Sequence, residues 1–265
     1  VPCHIKAIRL LMLNDQKIKN RVKYCFAIFC GHSKSSFFAE MIGWQASIKP
    51  KELKKIDFRI KNPSKKSSQY SVQVIGHDLL GPKEATMETS QLFGMDWGLG
   101  LFKPLACDWC DDIAGEVADI AMGDAWLPEY INDPGGRNIV VVRNKILLKI
   151  LKSGVDNGDI YLADENVEKV YESQAGNFRH RQEGLSVRLI EAEESKKWHP
   201  IKRIKRDTFK VPCRRKKIYL LRSLISKKSH VYFSKAKEKD NFFWFLFKIF
   251  PLEVKYYFLN KRLVR

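Results

Sequence analysis

The sequence predicts a mixed α/β (α+β) fold: a sheet-based body with surrounding helices and irregular loops, followed by a basic helical tail. Over residues 1–200, short segments with the apolar pattern of strands are interleaved with segments of helical periodicity. Near residue 200 the composition becomes basic, and Pro200 and Pro212 interrupt regular structure. We therefore divide the chain into a body of residues 1–200 and a tail of residues 201–265.

Strands are predicted where apolar residues form a continuous run or alternate with polar residues. The run VKYCFAIF is typical of a buried strand, and NIVVV is the clearest strand in the chain. Gly76 is expected to end the strand that precedes it. The predicted strands are residues 22–29, 56–60, 70–75, 138–142 and 160–162, with a short buried piece at 119–123.

Helices are predicted where apolar residues recur every three or four positions. In the first of them, Phe37, Phe38 and Met41 share one face. The predicted helices are residues 35–44, 84–92, 146–152, 166–172 and 218–239. Segments rich in polar residues, glycine or proline are interpreted as irregular loops, namely residues 62–69, 93–105 and 128–137.

The net charge of +18 is concentrated in the tail. Residues 201–265 carry 20 Lys/Arg and 4 Asp/Glu, whereas residues 1–200 have an excess of only 2 positive charges. Such a tail predicts either a solvated basic surface or an anionic partner: the lipid headgroups of an anionic membrane surface, an acidic protein, or nucleic acid. No specific nucleic-acid partner is expected.

Residues 241–259 combine two clusters of aromatic residues with flanking lysines. This apolar run is too short to span a bilayer, which needs about 20 residues. It suits a helix lying at a membrane interface. It also suits a helix that docks onto the body, and docking is the favoured alternative because aromatic stripes usually bury in protein.

The chain begins Val1-Pro2-Cys3, without a charged segment and an apolar segment of the kind that forms a signal peptide. We therefore expect a cytoplasmic protein, with association at the inner face of a membrane as an open alternative. The missing initial Met also suggests that a longer protein extends upstream. In a reducing compartment, clustered cysteines more often bind metal or carry out redox chemistry than form disulfides.

Cys107 and Cys110 form a C-x-x-C motif, a spacing that lets two thiolates reach one metal centre. Cys30 follows a predicted strand, and Cys3 is restrained by Pro2. Together these four cysteines make a four-thiolate set for a metal or an iron–sulfur cluster. Cys25, inside an apolar strand, is interpreted as a buried structural residue. Cys213 has no evident partner.

Spacing alone leaves alternatives to an iron–sulfur cluster open. A structural zinc site with these four thiolates, or with His32 in place of one, is equally compatible. A thioredoxin-like dithiol is less favoured, because Cys107 does not open a helix after a strand. The acidic pair Asp111-Asp112 is interpreted as a solvated turn and not as a catalytic pair.

Several motifs occur in a fixed order along the chain. These motifs are Pro2-Cys3, Phe29-Cys30-Gly31-His32, Phe58-Arg59-Ile60-Lys61, Cys107-Asp108-Trp109-Cys110, Ala118-Asp119-Ile120, Gly123-Asp124-Ala125-Trp126 and Gly136-Arg137-Asn138. As an ordered set they resemble the C-terminal domain of the beta-subunit family of coenzyme F-420 (deazaflavin) hydrogenases and dehydrogenases, and the resemblance runs from Pro2 to about Pro200.

The resemblance implies a four-iron four-sulfur (4Fe-4S) cluster and FAD. By position, Cys3, Cys30, Cys107 and Cys110 match the cluster cysteines of the family. Residues near the flavin are implied to be Arg59, Lys61, Gly123 and Asp124. Arg59 and Lys61 carry the charge to neutralise the FAD pyrophosphate and, two apart on a strand, would share one face.

The expected function is that of an iron–sulfur flavoprotein oxidoreductase. It would pass electrons between the cluster and FAD, and then to or from a deazaflavin coenzyme or a ferredoxin-like electron partner. Two alternatives remain: a zinc-stabilised binding module with a basic tail, and a non-catalytic electron-transfer subunit. No Ser/His/Asp set or paired carboxylate indicates hydrolysis.

Overall fold

The computed structural model describes residues 1–261 and confirms a mixed α+β fold with helices around two small sheets. The chain divides into two compact units. Unit 1 comprises residues 1–31 and 110–181, and unit 2 comprises residues 32–109 and 182–265. The predicted division at residue 200 follows composition and stays a prediction, whereas these units follow packing.

Unit 1 contains a three-stranded sheet in the order β1-β5-β6, made of Phe26–Ile28, Ile120–Asp124 and Asn138–Val142. Strand β1 runs parallel to β5, with Ala27 opposite Ala121, and β6 pairs antiparallel with β5. The strand predicted at 138–142 is therefore confirmed, and the buried piece at 119–123 is largely β5. The helices of unit 1 are α1 Pro2–Asn14, α2 Gln16–Arg21, α4 Lys145–Asp156, α5 Val167–Ser173 and α6 Ala175–Arg181.

Two predictions for unit 1 were wrong. The apolar run at 22–29 forms only three strand residues, of which Ala27 is buried while Phe26 and Ile28 are exposed. Only one face of this edge strand is covered, so its apolar residues do not indicate burial on both faces. Residues 160–162 form no strand. They connect α4 to α5 and do not pair with any strand of the β1-β5-β6 sheet.

Unit 2 contains an antiparallel sheet in the order β2-β3-β4, made of Leu53–Lys61, Tyr70–Asp78 and Gly81–Glu88. The predicted strands at 56–60 and 70–75 are confirmed and extended. The helix predicted at 84–92 was wrong: most of this segment is β4, which pairs with β3 across a tight turn. Cross-strand pairing of alternating side chains overrides the local helical tendency there.

Gly76 does not end its strand as predicted. It continues β3 opposite Leu53, and a Cβ atom at this position would meet the carbonyl oxygen of Glu52. The glycine therefore permits a close approach of two backbones and does not mark a turn.

The core of unit 2 is formed by helix α3, the sheet and the two helices of the tail. Helix α3 Ser36–Gln45 confirms the helix predicted at 35–44, with Phe38 and Met41 buried. Helix α7 Glu183–Glu194 is followed by α8 Cys213–Glu238 and α9 Phe242–Lys261. Phe233 of α8 and Phe245 of α9 are fully buried in the same cluster as Phe38.

Helices α8 and α9 form a helical hairpin. Asp240 adopts a left-handed conformation between them, and Asn241 caps α9 by accepting a hydrogen bond from the Trp244 backbone N–H at 2.9 Å. Most of the basic tail from Cys213 to Lys261 is therefore helical, as predicted. No helix within residues 1–261 is long and apolar enough to cross a membrane.

Candidate functional site

Cys3, Cys30 and Cys110 belong to unit 1. Cys3 lies in the first turn of α1 and is exposed. One turn later, Lys6 Nζ lies 3.3 Å from the carboxylate of Asp111, the residue that follows Cys110. The start of α1 is thus held beside the segment that leaves the C-x-x-C motif.

The same segment contacts the other two cysteines of unit 1. The Cys30 backbone N–H donates to the carbonyl oxygen of Ile113 at 3.0 Å. The Cys110 Sγ atom lies 3.4 Å from the carbonyl oxygen of Asp112. Cys30 and Cys110 therefore both pack against residues 112–113, although they are far apart in sequence.

Asp111 and Asp112 are buried, so the interpretation of this pair as a solvated turn was wrong. Asp112 accepts hydrogen bonds from the Glu116 backbone N–H at 3.1 and 3.2 Å. Burial raises the pKa of Asp112. Asp111 is paired with Lys6, and Asp112 is bonded to the Glu116 backbone. These two contacts fix the conformation of the chain directly after Cys110.

Cys107 belongs to unit 2, and the residue after it anchors the C-x-x-C turn there. Asp108 forms an ion pair with Lys103, and the exposed fractions of the two side chains are 5% and 1%. Arg188 of α7 donates from Nε to the Asp108 carbonyl oxygen at 2.8 Å. A buried carboxylate with two cationic neighbours therefore fixes the position of this turn.

The buried cations around Asp108 affect one another. The pKa of Lys103 is lowered to about 8, mainly by burial and also by the charge of Arg188, while Asp108 opposes the change. The Lys103 carbonyl oxygen also accepts a hydrogen bond from Ser226 of α8 at 2.6 Å. The turn that carries Cys107 is thus held by α7 and α8 together.

Asp119 connects three elements of unit 1. Its carboxylate accepts hydrogen bonds from Arg9 at 2.7 Å, from the Cys25 backbone N–H at 2.7 Å and from Asn144 at 3.1 Å. Burial alone would raise the pKa of Asp119, but these three donors together lower it. The motif residue Asp119 therefore joins α1, the approach to β1 and the start of α4.

The loop between Asp112 and Asp119 is held by one arginine. Arg143 donates from Nη1 to the carbonyl oxygens of Gly115 at 3.1 Å and Ala118 at 3.5 Å. Its other terminal nitrogen lies 3.4 Å from the Ala114 carbonyl oxygen. Arg143, which directly follows β6, therefore fixes the conformation of the loop that comes after the C-x-x-C motif.

The four predicted cluster cysteines supply the soft thiolate chemistry that an iron–sulfur cluster requires. Three of them lie in unit 1, and two of those pack against one segment. Within residues 1–261, however, no group of three or more His, Cys, Asp or Glu side chains is arranged to hold a metal ion. The choice between a cluster and zinc therefore stays a prediction.

The predicted flavin residues Arg59 and Lys61 lie in strand β2 of unit 2. Lys61 donates to the Ser67 carbonyl oxygen at 2.8 Å, and the Arg59 guanidinium lies 5.4 Å from the centre of the Tyr70 ring. A bulge between Asp57 and Ile60 interrupts the regular alternation of side chains. Arg59 lies within this bulge, so the alternation behind the predicted shared face is interrupted there, and the shared face of Arg59 and Lys61 stays a prediction.

The predicted flavin residues Gly123 and Asp124 end strand β5 in unit 1. A Cβ atom at Gly123 would lie 2.5 Å from Phe29 side-chain atoms, so the glycine lets Phe29 pack flat on the strand. The Asp124 carbonyl oxygen accepts a hydrogen bond from Gln174 at 2.9 Å. Trp126 is partly exposed close to this strand end.

Lys34 is a candidate functional residue that the sequence did not reveal. Its Nζ atom donates to the Leu101 carbonyl oxygen at 2.7 Å and lies 4.5 Å from the centre of the Trp97 ring. Burial lowers its pKa to about 7, with the charges of Arg222 and Lys103 acting in the same direction. Only the folded chain brings these cations together, so no local sequence signal marks Lys34.

Comparison with models of protein families matches residues 1–168 to the C terminus of the beta subunit of coenzyme F420 hydrogenase/dehydrogenase. The match includes all eight predicted cluster and flavin residues, and it ends before residue 200, to which the resemblance was expected to extend. No curated protein matches the chain. Since the match covers more than half of the sequence, the chain belongs to the family of coenzyme F420 hydrogenase/dehydrogenase beta subunits, a family of oxidoreductase subunits.

Proposed function

We propose that this protein is an iron–sulfur flavoprotein that transfers electrons within an oxidoreductase. The observation that carries the proposal is the presence of Cys3, Cys30, Cys107 and Cys110 inside the region matched to the family. When bound, a 4Fe-4S cluster would carry single electrons, and FAD would carry two. A deazaflavin coenzyme or a ferredoxin-like protein is the proposed electron partner.

The proposed cluster ligands are the thiolates of these four cysteines. The buried ion pair of Lys103 and Asp108 supports this role, because it restrains the turn that carries Cys107. Contacts of Cys30 and Cys110 with residues 112–113 restrain two further ligands in the same way. Ligands that are restrained before binding lose less conformational entropy when a cluster binds.

The proposed flavin residues are Arg59, Lys61, Gly123 and Asp124. Arg59 and Lys61 offer positive charge to the FAD pyrophosphate, and both side chains are exposed on β2. Gly123 and Asp124 end a strand at which Trp126 presents a partly exposed ring. These features support a flavin site through charge and through an accessible aromatic surface.

The metal assignment is tested by purifying the full chain without oxygen and measuring iron, acid-labile sulfide, zinc and released flavin. We expect iron and sulfide in equal amounts, with the broad visible absorbance of a thiolate-bound cluster. The variants C107S and C110S should lose this absorbance. The matched control is C213S, because Cys213 is exposed and lies outside the family match.

A colourless protein that contains zinc and no flavin would contradict the proposal and support the zinc-stabilised module. The flavin residues are tested separately by measuring FAD affinity in R59A and K61A. Each lost charged contact should weaken FAD binding roughly tenfold or more. The control is K54A, because Lys54 is exposed on the same strand. An equal effect of K54A would reduce the flavin assignment to general surface charge.

Enzymatic and electron-transfer roles are separated by turnover. Reduced deazaflavin and an artificial electron acceptor are added to the cofactor-loaded protein, and acceptor reduction is followed by absorbance. Sustained turnover supports an enzyme. A protein that retains cluster and flavin without turnover is instead an electron-transfer subunit.

A further inference from the structure

Helix α9 has one face buried in unit 2. Phe245, Ile249 and Tyr256 of this helix lie in the same core cluster as helix α3 and the sheet. The prediction that residues 241–259 dock onto the body is therefore confirmed for this face of the helix.

The opposite face of α9 carries an exposed aromatic stripe. Its residues are spaced three and four apart, which places them on one side of the helix. The exposed fractions are 79% for Phe243, 74% for Phe247, 59% for Phe250, 49% for Val254 and 60% for Phe258. Large apolar side chains in a contiguous row on a protein surface mark an interaction site.

Lysines flank this stripe. Lys248 Nζ lies 5.6 Å from the centre of the Phe247 ring and 5.8 Å from that of Trp244. Lys239, directly after α8, lies 5.9 Å from the Trp244 ring. A row of aromatic rings with cations beside it matches the chemistry of a bilayer interface, where apolar groups meet charged headgroups.

The charge of the tail favours lipid over a second copy of this chain. Residues 201–265 carry an excess of 16 positive charges, so two tails brought face to face would repel each other. Glu253 is the one acidic residue among residues 241–261, and it is partly buried. An anionic lipid surface instead complements the lysines and accepts the aromatic rings.

We propose that α9 lies on a membrane containing anionic lipids, with the aromatic stripe at the boundary of headgroups and acyl chains. The buried face keeps the helix attached to unit 2, and the flanking lysines remain among the headgroups. The proposal is independent of the cofactors, because it rests only on the tail.

The test is co-sedimentation of the full chain with vesicles of phosphatidylcholine, with and without phosphatidylglycerol. We expect binding to the anionic vesicles that weakens with added salt. The variant F243S/F247S/F250S should bind at least about tenfold more weakly, because three rings no longer leave water. The matched control is L79S/L80S, which removes two exposed leucines from the β3–β4 turn of the same unit.

Circular dichroism and thermal melting establish that each variant folds like the parent protein. Equal vesicle binding by the stripe variant and the parent would overturn the proposal, as would the absence of binding to any vesicle. If the parent forms a dimer that the stripe variant loses, while neither binds vesicles, then the stripe is an interface between two copies and the lipid proposal is wrong.

Discussion

Asp108, which lies between the two cysteines of the C-x-x-C motif in sequence, forms a buried ion pair with Lys103. The motif residue between the cysteines thus has a structural role of its own. Its negative charge compensates in part for the water that burial removes from the charged groups of Lys103 and Arg188.

Replacing Asp108 with Asn should therefore destabilise the protein strongly. Breaking a buried ion pair by removing one partner typically costs about 3–5 kcal/mol, because the remaining charge stays buried. The free energy of unfolding is measured by urea denaturation. The control is D207N, because Asp207 is an exposed partner of Arg206 and should cost about 0–1 kcal/mol. Similar losses in the two variants would contradict the role of Asp108.

Asp119 should make stability depend on pH on the acid side. Its folded-state pKa is lowered, so its contribution is present above the unfolded pKa of about 4 and is lost as the pH falls through the folded pKa. D119N should cost about 1–3 kcal/mol at neutral pH, because three donors lose a charged acceptor. The difference in melting temperature between D119N and the parent should shrink below about pH 4. A difference that stays constant with pH would exclude this role.

Lys34 should also make stability rise with pH, but in a separate range above neutral pH. Its pKa falls to about 7 on folding, whereas an unfolded lysine keeps its proton to about 10.4. Between these values the unfolded state binds more protons, so stability rises with pH. K34M should abolish this part of the rise when melting temperatures are compared across the window. K54M serves as the control because Lys54 is exposed, and it should leave the pH profile unchanged.

A substitution at Gly123 distinguishes a role of this glycine in packing from a role in FAD binding. In G123A the new Cβ would lie 2.5 Å from Phe29 atoms, and overpacking of this kind typically costs about 1–3 kcal/mol. The control is G176A in α6, where the nearest atom is 4.0 Å away and alanine should be neutral or stabilising. A G123A protein with unchanged stability and lost FAD would show that the glycine serves the flavin directly.

Much of the fold follows from local sequence pattern. The alternation in β2 and β3, the NIVVV strand and the apolar face of α3 each predict the observed element, because the pattern matches the side that the element buries. The β4 strand could not be predicted in this way, since pairing with β3 across a turn decides its conformation. The extent of β1 is set similarly by its neighbour β5.

The candidate site, like the fold, could be predicted from the sequence only in part. The cysteines and the motif order are visible in the sequence, and they lead to the family. The partners that hold them are not visible, because Arg188 and Ser226 reach residues 103–108 from helices about 80 or more positions away in sequence. Lys34 and Arg143 escaped notice for the same reason, as each is an ordinary basic residue until the chain folds.

The discontinuous units constrain the order in which this chain can fold during synthesis. The first 31 residues of unit 1 emerge from the ribosome before residues 110–181, with which they pack, so they must wait for them. The segment 32–109 waits longer, because α8 and α9, which complete its core, are translated only after residues 110–181. A nascent chain therefore exposes Phe38 and Met41 until α9 has left the ribosome, and we expect chaperone contact to be concentrated in that interval.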